Sequence, residues 1–190
     1  AGVTAFSEQR RLALLRLWIA KQHQYAPSEV RLKEIWHNVA LARADAQPML
    51  CFKHYQIRRF LGYLYLTRGQ GAAFDQTSTA PLALDQVNAL PCGKTLTLSS
   101  ANQGARIKMP QTPLTVGYQL AGSTKLTPAG RYGSRSYKKL LQEYQVPPWQ
   151  RASIPLIFSG EEVVAVGDLF ICQQWLAQGN GVGIEMALTE

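Results

Sequence analysis

The tract GQGAAFDQTSTAP, residues 69–81, divides the chain into two parts that differ in their hydrophobic pattern. It contains small, polar and glycine residues and no apolar run that could line a core, which is typical of a linker. In a chain of 190 residues, the part on either side of it can bury only a modest core. The pattern therefore predicts two small domains, residues 1–68 and 82–190, joined by a linker at 69–81.

Helical spacing dominates the first predicted domain. Residues 7–24 carry apolar side chains at helical intervals, and a second helix is expected to begin after Ser28, a favourable N-cap. The predicted buried face of that second helix consists of Val30, Leu32, Ile35, Trp36 and Val39. Residues 48–68 are rich in aromatic and β-branched residues and are interrupted at Gly62. They predict two or three short strands, a β-ribbon beside the helices.

The second predicted domain is a mixed, β-rich unit with one basic amphipathic helix. Strand patterns occupy residues 95–101, 105–109 and 114–121, separated by turns that contain glycine or proline. Residues 154–172 predict a hairpin that turns at Ser159-Gly160. The whole chain is therefore expected to be α+β.

The positive charge of the chain is confined to two blocks. Residues 1–68 hold eleven Lys and Arg against four acids, and residues 94–151 hold nine against Glu143 alone. Residues 152–190 contain five acids and no Lys or Arg. A surface that serves solubility alone mixes the two signs more evenly. The segregation favours an anionic partner, with nucleic acid ahead of an anionic membrane.

Residues 131–149 concentrate four cations within nine positions. These cations are Arg131, Arg135, Lys138 and Lys139. Tyr137, Leu140, Leu141 and Tyr144 form an apolar stripe at helical spacing, and the cations of the predicted helix fall on the opposite arc. Two interpretations remain open from the residues alone: a solvated basic face, or a surface for a polyanion. Trp149 is likewise open between filling the core and stacking on a base.

The start of this basic helix has its own predicted role. Gly133-Ser134 or Ser136 is expected to open the helix and Pro147 to end it. The first backbone N–H groups would then be free, and a free helix N-terminus suits a phosphate oxygen.

Other classes of site find little support in the residues. Three widely spaced cysteines indicate neither a disulfide framework nor a metal site, and they fit a reducing, cytoplasmic location. The three histidines lack the spacing of metal ligands. No phosphate-binding glycine loop, nucleophile motif or carboxylate pair is present. No apolar run approaches the roughly 18 residues that a membrane span needs. We therefore expect no catalytic residue, no metal site, no cofactor site and no membrane partner.

Two stretches carry a resemblance to a known family. RRLALLRLWIAKQHQYAPSEVRLKEIWHNVALARADAQPML with YQIRRFLGYLYL resembles the substrate-binding domain of bacterial tRNA(Ile)-lysidine synthetases. GRYGSRSYKKLLQEYQVPPWQRASIPLIFSGEEVVAVGDLFI resembles the C-terminal domain of the same family. The similarity covers roughly residues 1–67 and 114–178, and the second block is the more specific.

The resemblance implies a role in tRNA modification. These ligases attach lysine to the wobble cytidine, position 34, of a tRNA(Ile) with a CAU anticodon, using ATP and Mg with lysine as co-substrate. Their chemistry belongs to an N-terminal PP-loop domain with an SGGxDS motif, which is nowhere in these 190 residues. The resemblance thus implies a non-catalytic C-terminal fragment that recognises the tRNA body and acceptor stem. A homodimer is compatible with this expectation.

The resemblance also places the expected tRNA contacts. In the second domain these are Arg131, Arg135, Lys138, Lys139 and Arg151. In the first domain they are Arg58 and Arg59, of which a strand would turn only one outward. The alternative function is a free-standing basic adaptor that binds another RNA or an acidic protein and has no enzymatic parent.

Overall fold

The computed structural model describes residues 3–23, 27–43, 46–68, 75–179 and 181–189. The chain separates into two compact units, Ala1–Ala73 and Phe74–Glu190. Both combine helices with antiparallel sheets, so the expected α+β class is confirmed. Of the predicted linker, residues 69–74 lie outside the described residues. Residues 80–81 depart from that prediction because they pair as a strand within the second unit.

The first unit consists of helices packed on a three-stranded antiparallel sheet. A 3₁₀ turn at Val3–Ala5 precedes helix α1, Glu8–His23, and helix α2, Glu29–Glu34, which continues as a π-helix over Ile35–Ala40. The strands are β1 (Met49–Phe52), β2 (Tyr55–Phe60) and β3 (Tyr63–Arg68), in the order β1-β2-β3. The three strands confirm the prediction of two or three short strands in residues 48–68.

The second helix confirms its predicted cap but not its whole predicted face. The Ser28 hydroxyl accepts a hydrogen bond from the Arg31 backbone N–H at 3.4 Å. The residues of the core of this unit are Leu15, Ile19, Leu32, Ile35, Trp36, Val39 and Ile57. Val30 was wrongly placed in that core, since 68% of it is exposed. It lies two residues from Leu32, a rotation of roughly 200° on a helix, and so faces away from the sheet.

The second unit contains two larger sheets and one small ribbon in its described residues. The strands of the five-stranded sheet are β4 (Ala80–Pro81), β8 (Leu114–Gly117), β11 (Leu156–Ser159), β12 (Glu162–Val166) and β13 (Phe170–Ile171). Those of the four-stranded sheet are β5 (Gln86–Ala89), β6 (Thr95–Ala101), β7 (Ile107–Lys108) and β14 (Gly183–Thr189). The strand order is β13-β12-β11-β8-β4 in the first sheet and β5-β6-β14-β7 in the second.

The remaining described elements of this unit are a two-stranded ribbon, one α-helix and two 3₁₀ helices. The ribbon pairs β9 (Lys125–Leu126) with β10 (Arg135–Ser136), and helix α3 (Tyr137–Glu143) follows directly. Two 3₁₀ helices occupy Pro148–Ser153 and Gln173–Trp175. The short ribbon therefore leads straight into α3 and fixes where that helix begins.

The β11–β12 hairpin is buried on both faces. On one side Leu156 belongs to the core that contains α3, and on the other Ile157 belongs to the core shared with the four-stranded sheet. The pairing shifts between Ile157 and Phe158, so that β12 carries one extra residue, Val164. This bulge lets the adjacent residues Val164 and Ala165 both join the same core. The hairpin prediction is confirmed, with the chain reversing at Gly160.

The C-terminal strand β14 was absent from the sequence prediction, although it lies in the interior of its sheet. It pairs along its full length with β6 and at its start with β7. Ile184 is buried and its neighbour Glu185 is exposed, the alternation expected of a strand with one covered face. Its first residue, Gly183, lies where two other segments approach closely.

We expect Gly183→Ala to destabilise the second unit. A Cβ atom at this position would lie 2.7 Å from the Ile107 carbonyl oxygen and 2.9 Å from the Arg106 Cβ. Overpacking of this kind costs about 1–3 kcal/mol in free energy of unfolding. The matched control is Gly181→Ala, whose Cβ would meet no described atom within 4 Å. In urea titrations, equal losses for both variants would contradict the close approach.

Candidate nucleic-acid interface

Helix α3 buries the apolar stripe that its sequence predicts. Tyr137, Leu140 and Leu141 are buried in the core beside the five-stranded sheet, with Leu140 completely enclosed. Tyr144, the fourth member of the stripe, is 38% exposed and stacks on Phe170 at a ring-centroid distance of 5.2 Å. Three of the four positions thus fix which side of α3 faces the solvent.

The opposite side of α3 and the adjoining ribbon carry exposed cations. Lys138 and Lys139 are exposed on the first turn of the helix, and Arg135 is exposed on β10 immediately before it. Lys125 joins them because β9 pairs with β10, with Lys125 opposite Ser136. Lys125 was missed by the sequence analysis, because it lies ten positions before Arg135 and only strand pairing brings the two backbone segments side by side. We call Lys125, Arg135, Lys138 and Lys139 the α3 cation cluster.

The predicted free N-terminus of α3 is wrong. The Tyr137 N–H donates to the Thr124 carbonyl oxygen at 2.8 Å, and the Lys138 N–H donates to the Gly122 carbonyl oxygen at 3.0 Å. Ser136 occupies the N-cap position but makes no side-chain cap hydrogen bond. The turn before β9 therefore takes these two backbone donors, because a polar group near a core needs a partner. These two amides are therefore not available to an anion, whereas the side chains of Lys138 and Lys139 are exposed.

Arg131 is engaged within the protein. Its guanidinium Nη1 donates to the Glu143 carboxylate, forming an ion pair between the turn before β10 and the end of α3. That hydrogen bond lowers the pKa of Glu143, with smaller contributions from the charges of Arg131, Arg135 and Lys139. The same bond raises the pKa of Arg131. Arg131 thus meets a carboxylate in this structure, whereas the α3 cation cluster remains exposed to solvent.

Arg151 lies on the 3₁₀ helix Pro148–Ser153. Its Nε donates to the Val146 carbonyl oxygen at 3.1 Å, and the side chain is half-buried. It lines an open cleft of about 540 Å³ together with Tyr137, whose pKa is raised by burial and lowered in part by the Arg151 charge. Trp149, on the same helix, is also half-buried. Arg151 therefore has a structural bond and a partly accessible charge.

The arginine pair of the first unit is half-buried on β2. Arg58 donates to the Gln56 Oε1 atom through Nε at 3.2 Å and through Nη2 at 2.8 Å. Arg59 donates through Nη1 to the Ala42 carbonyl oxygen and lines an apolar cavity of about 520 Å³. The two side chains thus make different contacts, as alternation along a strand requires. Their contact with tRNA stays a prediction.

Signs of other chemistry are few in the described residues. Across residues 3–23, 27–43, 46–68, 75–179 and 181–189, no group of three His, Cys, Asp or Glu side chains is placed to hold a metal ion. Nor does any helix in those ranges have the length and apolar character that crossing a bilayer demands. The cationic side of α3 is the feature on which a functional hypothesis can rest.

Two family models match this chain, one in each unit. Residues 1–65 match the family model described as the TilS substrate binding domain. Residues 114–188 match the one described as the TilS substrate C-terminal domain. The chain belongs to the TilS family. Arg58 and Arg59 fall in the first TilS domain, and Arg131, Arg151 and the α3 cation cluster fall in the second.

Individual relatives show how much of a TilS protein these residues represent. The tRNA(Ile)-lysidine synthase of Vibrio campbellii is 40% identical over 181 residues, covering 90% of this chain and 38% of the relative. That of Shigella flexneri is 37% identical over 188 residues, covering 96% of this chain and 42% of the relative. A solved structure, "Crystal structure of TILS C-terminal domain", has 16% identity and a TM-score of 0.48, covering 59% of this chain and 94% of its own. The chain spans about two fifths of the length of the curated relatives it matches.

We expect Arg131→Ala to raise the pKa of Glu143 toward its ordinary value of 4.5. Because the pKa of Glu143 is lowered in the folded protein, the ion pair stabilises the fold at pH values above 4.5. The contribution is lost as the pH falls through the lowered pKa. Carbon-detected NMR of the Glu143 carboxyl would measure the shift. Lys125→Ala is the control, because Lys125 does not contribute to it; an unmoved Glu143 titration in Arg131→Ala would contradict the ion pair.

Proposed function

We propose that this chain recognises tRNA(Ile) for a tRNA(Ile)-lysidine synthase. That ligase joins lysine to the wobble cytidine of a tRNA(Ile) with a CAU anticodon. The proposal is supported by the two TilS domains and by relatives that bear the synthase name. The observation that carries it is the α3 cation cluster, exposed on the β9–β10 ribbon and on a helix whose other side is buried.

The proposed contact is with the phosphate backbone of the tRNA. Lysine ammonium groups and an arginine guanidinium on exposed positions form charge-assisted hydrogen bonds with phosphate oxygens. Each contact releases condensed counterions, so binding weakens as salt is added. The RNA duplex is read largely through its shape and its backbone, because its deep, narrow major groove excludes side chains. A cluster of side-chain cations without a base-specific motif suits that mode of recognition.

The catalytic steps are proposed to take place outside these residues. The SGGxDS motif of a PP-loop domain does not occur among the 190 residues. ATP, Mg and lysine would accordingly bind to a catalytic domain, while this chain holds the tRNA. TilS membership favours this division of labour over a free-standing adaptor with no enzymatic parent.

Charge reversal at the cluster should flatten the salt dependence of tRNA(Ile) binding. The variant combines Arg135→Glu, Lys138→Glu and Lys139→Glu, all at exposed positions. Each lost phosphate contact lowers the slope of log K against log[salt] by roughly 0.7–0.9, so three should lower it by about two to three units. A salt titration of binding, with circular dichroism as the fold control, measures the slope.

A matched variant separates local contacts from net charge. Arg10→Glu, Arg16→Glu and Lys21→Glu reverse three exposed cations on α1 and change the net charge of the chain equally. We expect a smaller change of slope in this control. An equal fall of the slope in both variants would show that the slope reports overall charge. An unchanged slope in the α3 variant would show that its cations are a solvated surface and do not contact phosphates.

The purified chain should bind tRNA(Ile) without modifying it. Incubated with ATP, lysine and tRNA(Ile), it is expected to release no AMP and form no lysidine. A full-length tRNA(Ile)-lysidine synthase serves as the positive control in the same assay. AMP release that depends on all three substrates would overturn the proposed division of labour.

A further inference from the structure

Tyr132 lies fully exposed in the turn between Arg131 and Arg135. Its relative exposure is 104%, the highest among the exposed large hydrophobic residues of the described chain. An aromatic ring left in water gives up the favourable free energy that burial would provide. Neither the α3 stripe nor the cation cluster explains its place. The surroundings of the ring show what it could contact.

The turn that carries Tyr132 is held at its base. The Gly130 N–H donates to the Gln173 Oε1 atom at 2.8 Å. The Arg131 side chain is paired with Glu143 at the end of α3. On the far side Gly133 has a φ of +83°, a conformation that glycine adopts without strain. The ring therefore projects from a braced turn instead of a free loop.

The charge around this turn points to one kind of partner. Arg135 follows three residues later, and Lys138 and Lys139 are exposed on the helix beyond it. A hydrophobic protein partner would have to cover these cations, whereas RNA supplies phosphates for them and a flat aromatic face for the ring. A base inside a duplex has both of its faces covered, so the ring requires an unpaired base.

We propose that Tyr132 stacks on an unpaired nucleobase of the RNA whose phosphates meet the α3 cation cluster. This inference rests on the proposed function, since it assumes that RNA lies against α3. Arg131 acts as a positioning residue: its ion pair with Glu143 braces the turn so that the ring is presented to the base. It is not assigned a phosphate contact in this scheme.

The first test compares Tyr132→Ala with Tyr132→Phe in tRNA(Ile) binding. Loss of one base–aromatic stack should weaken binding roughly five- to hundredfold. The slope of log K against log[salt] should stay unchanged, because no phosphate contact is lost. Tyr132→Phe keeps the ring and should bind like the unmodified chain. Tyr63→Ala is the matched control, a 71% exposed tyrosine in the other unit; equal weakening by both alanine variants would overturn the proposal.

The RNA probe shows which base is bound. A tRNA(Ile) without its unpaired 3′ end should become insensitive to Tyr132→Ala if that end supplies the base, and should remain sensitive if a loop does. A perfectly paired RNA duplex should be insensitive in either case. Equal weakening of duplex binding by Tyr132→Ala would overturn stacking on an unpaired base.

Glu143→Gln tests the positioning role, because charge and positioning predict opposite results. The substitution removes a negative charge and releases Arg131, so electrostatics alone would tighten binding and steepen the salt slope. A brace that presents Tyr132 requires weaker binding despite the added positive charge. The weakening should vanish in the Tyr132→Ala background, and tighter binding would overturn the positioning role.

These results remain distinct from a failure of the proposed function. If charge reversal at α3 flattens the slope while Tyr132→Ala changes nothing, only the stacking proposal is wrong. If charge reversal changes nothing, RNA does not lie against α3 and both proposals fall.

Discussion

Burial of the β11–β12 hairpin on both faces is the constraint on which the second unit depends. Ile157 packs toward the four-stranded sheet, and Leu156 packs toward α3. Because the second face must be covered, α3 has one acceptable orientation, with Leu140 and Leu141 inward. Rotating the helix would expose both leucines at a cost of about 1.5–3 kcal/mol each. An exposed ion pair contributes only about 0–1 kcal/mol to stability. Packing of the leucines therefore decides which side of α3 carries its cations into the solvent.

The interface that results relies on side chains and not on backbone amides. The first two N–H groups of α3 are bonded to carbonyl oxygens of the turn before β9, so these two amides are not available to an anion. The exposed cations lie on positions where water screens them, so each contributes modestly and their sum varies with salt. Glu143 restrains this arrangement by pairing with Arg131. Glu143 therefore gives the turn that carries Arg131 a defined position, and the Arg131 guanidinium is engaged in return.

Local patterns were sufficient for much of the fold. The Ser28 cap, the α3 stripe and the hairpin turn at Gly160 each depend on residues within one turn or one hairpin. The mistakes share a different property. Val30 was misplaced because the spacing of apolar residues did not show which side of the helix packs on the sheet. Strand β14 was missed, although Ile184 and Glu185 alternate correctly, because its partners lie far away in sequence.

By itself the sequence determined that residues 131–149 contain a basic amphipathic helix, because charge and periodicity are properties of neighbours along the chain. It also carried the motifs by which both TilS domains are matched. Tertiary structure alone decided that Lys125 lies beside β10, that the first two amides of α3 are bonded within the protein, and that Arg131 pairs with Glu143. Each of these contacts joins two segments that are distant in sequence. Strand pairing and core packing bring such segments together, and the pattern of neighbouring residues does not reveal it.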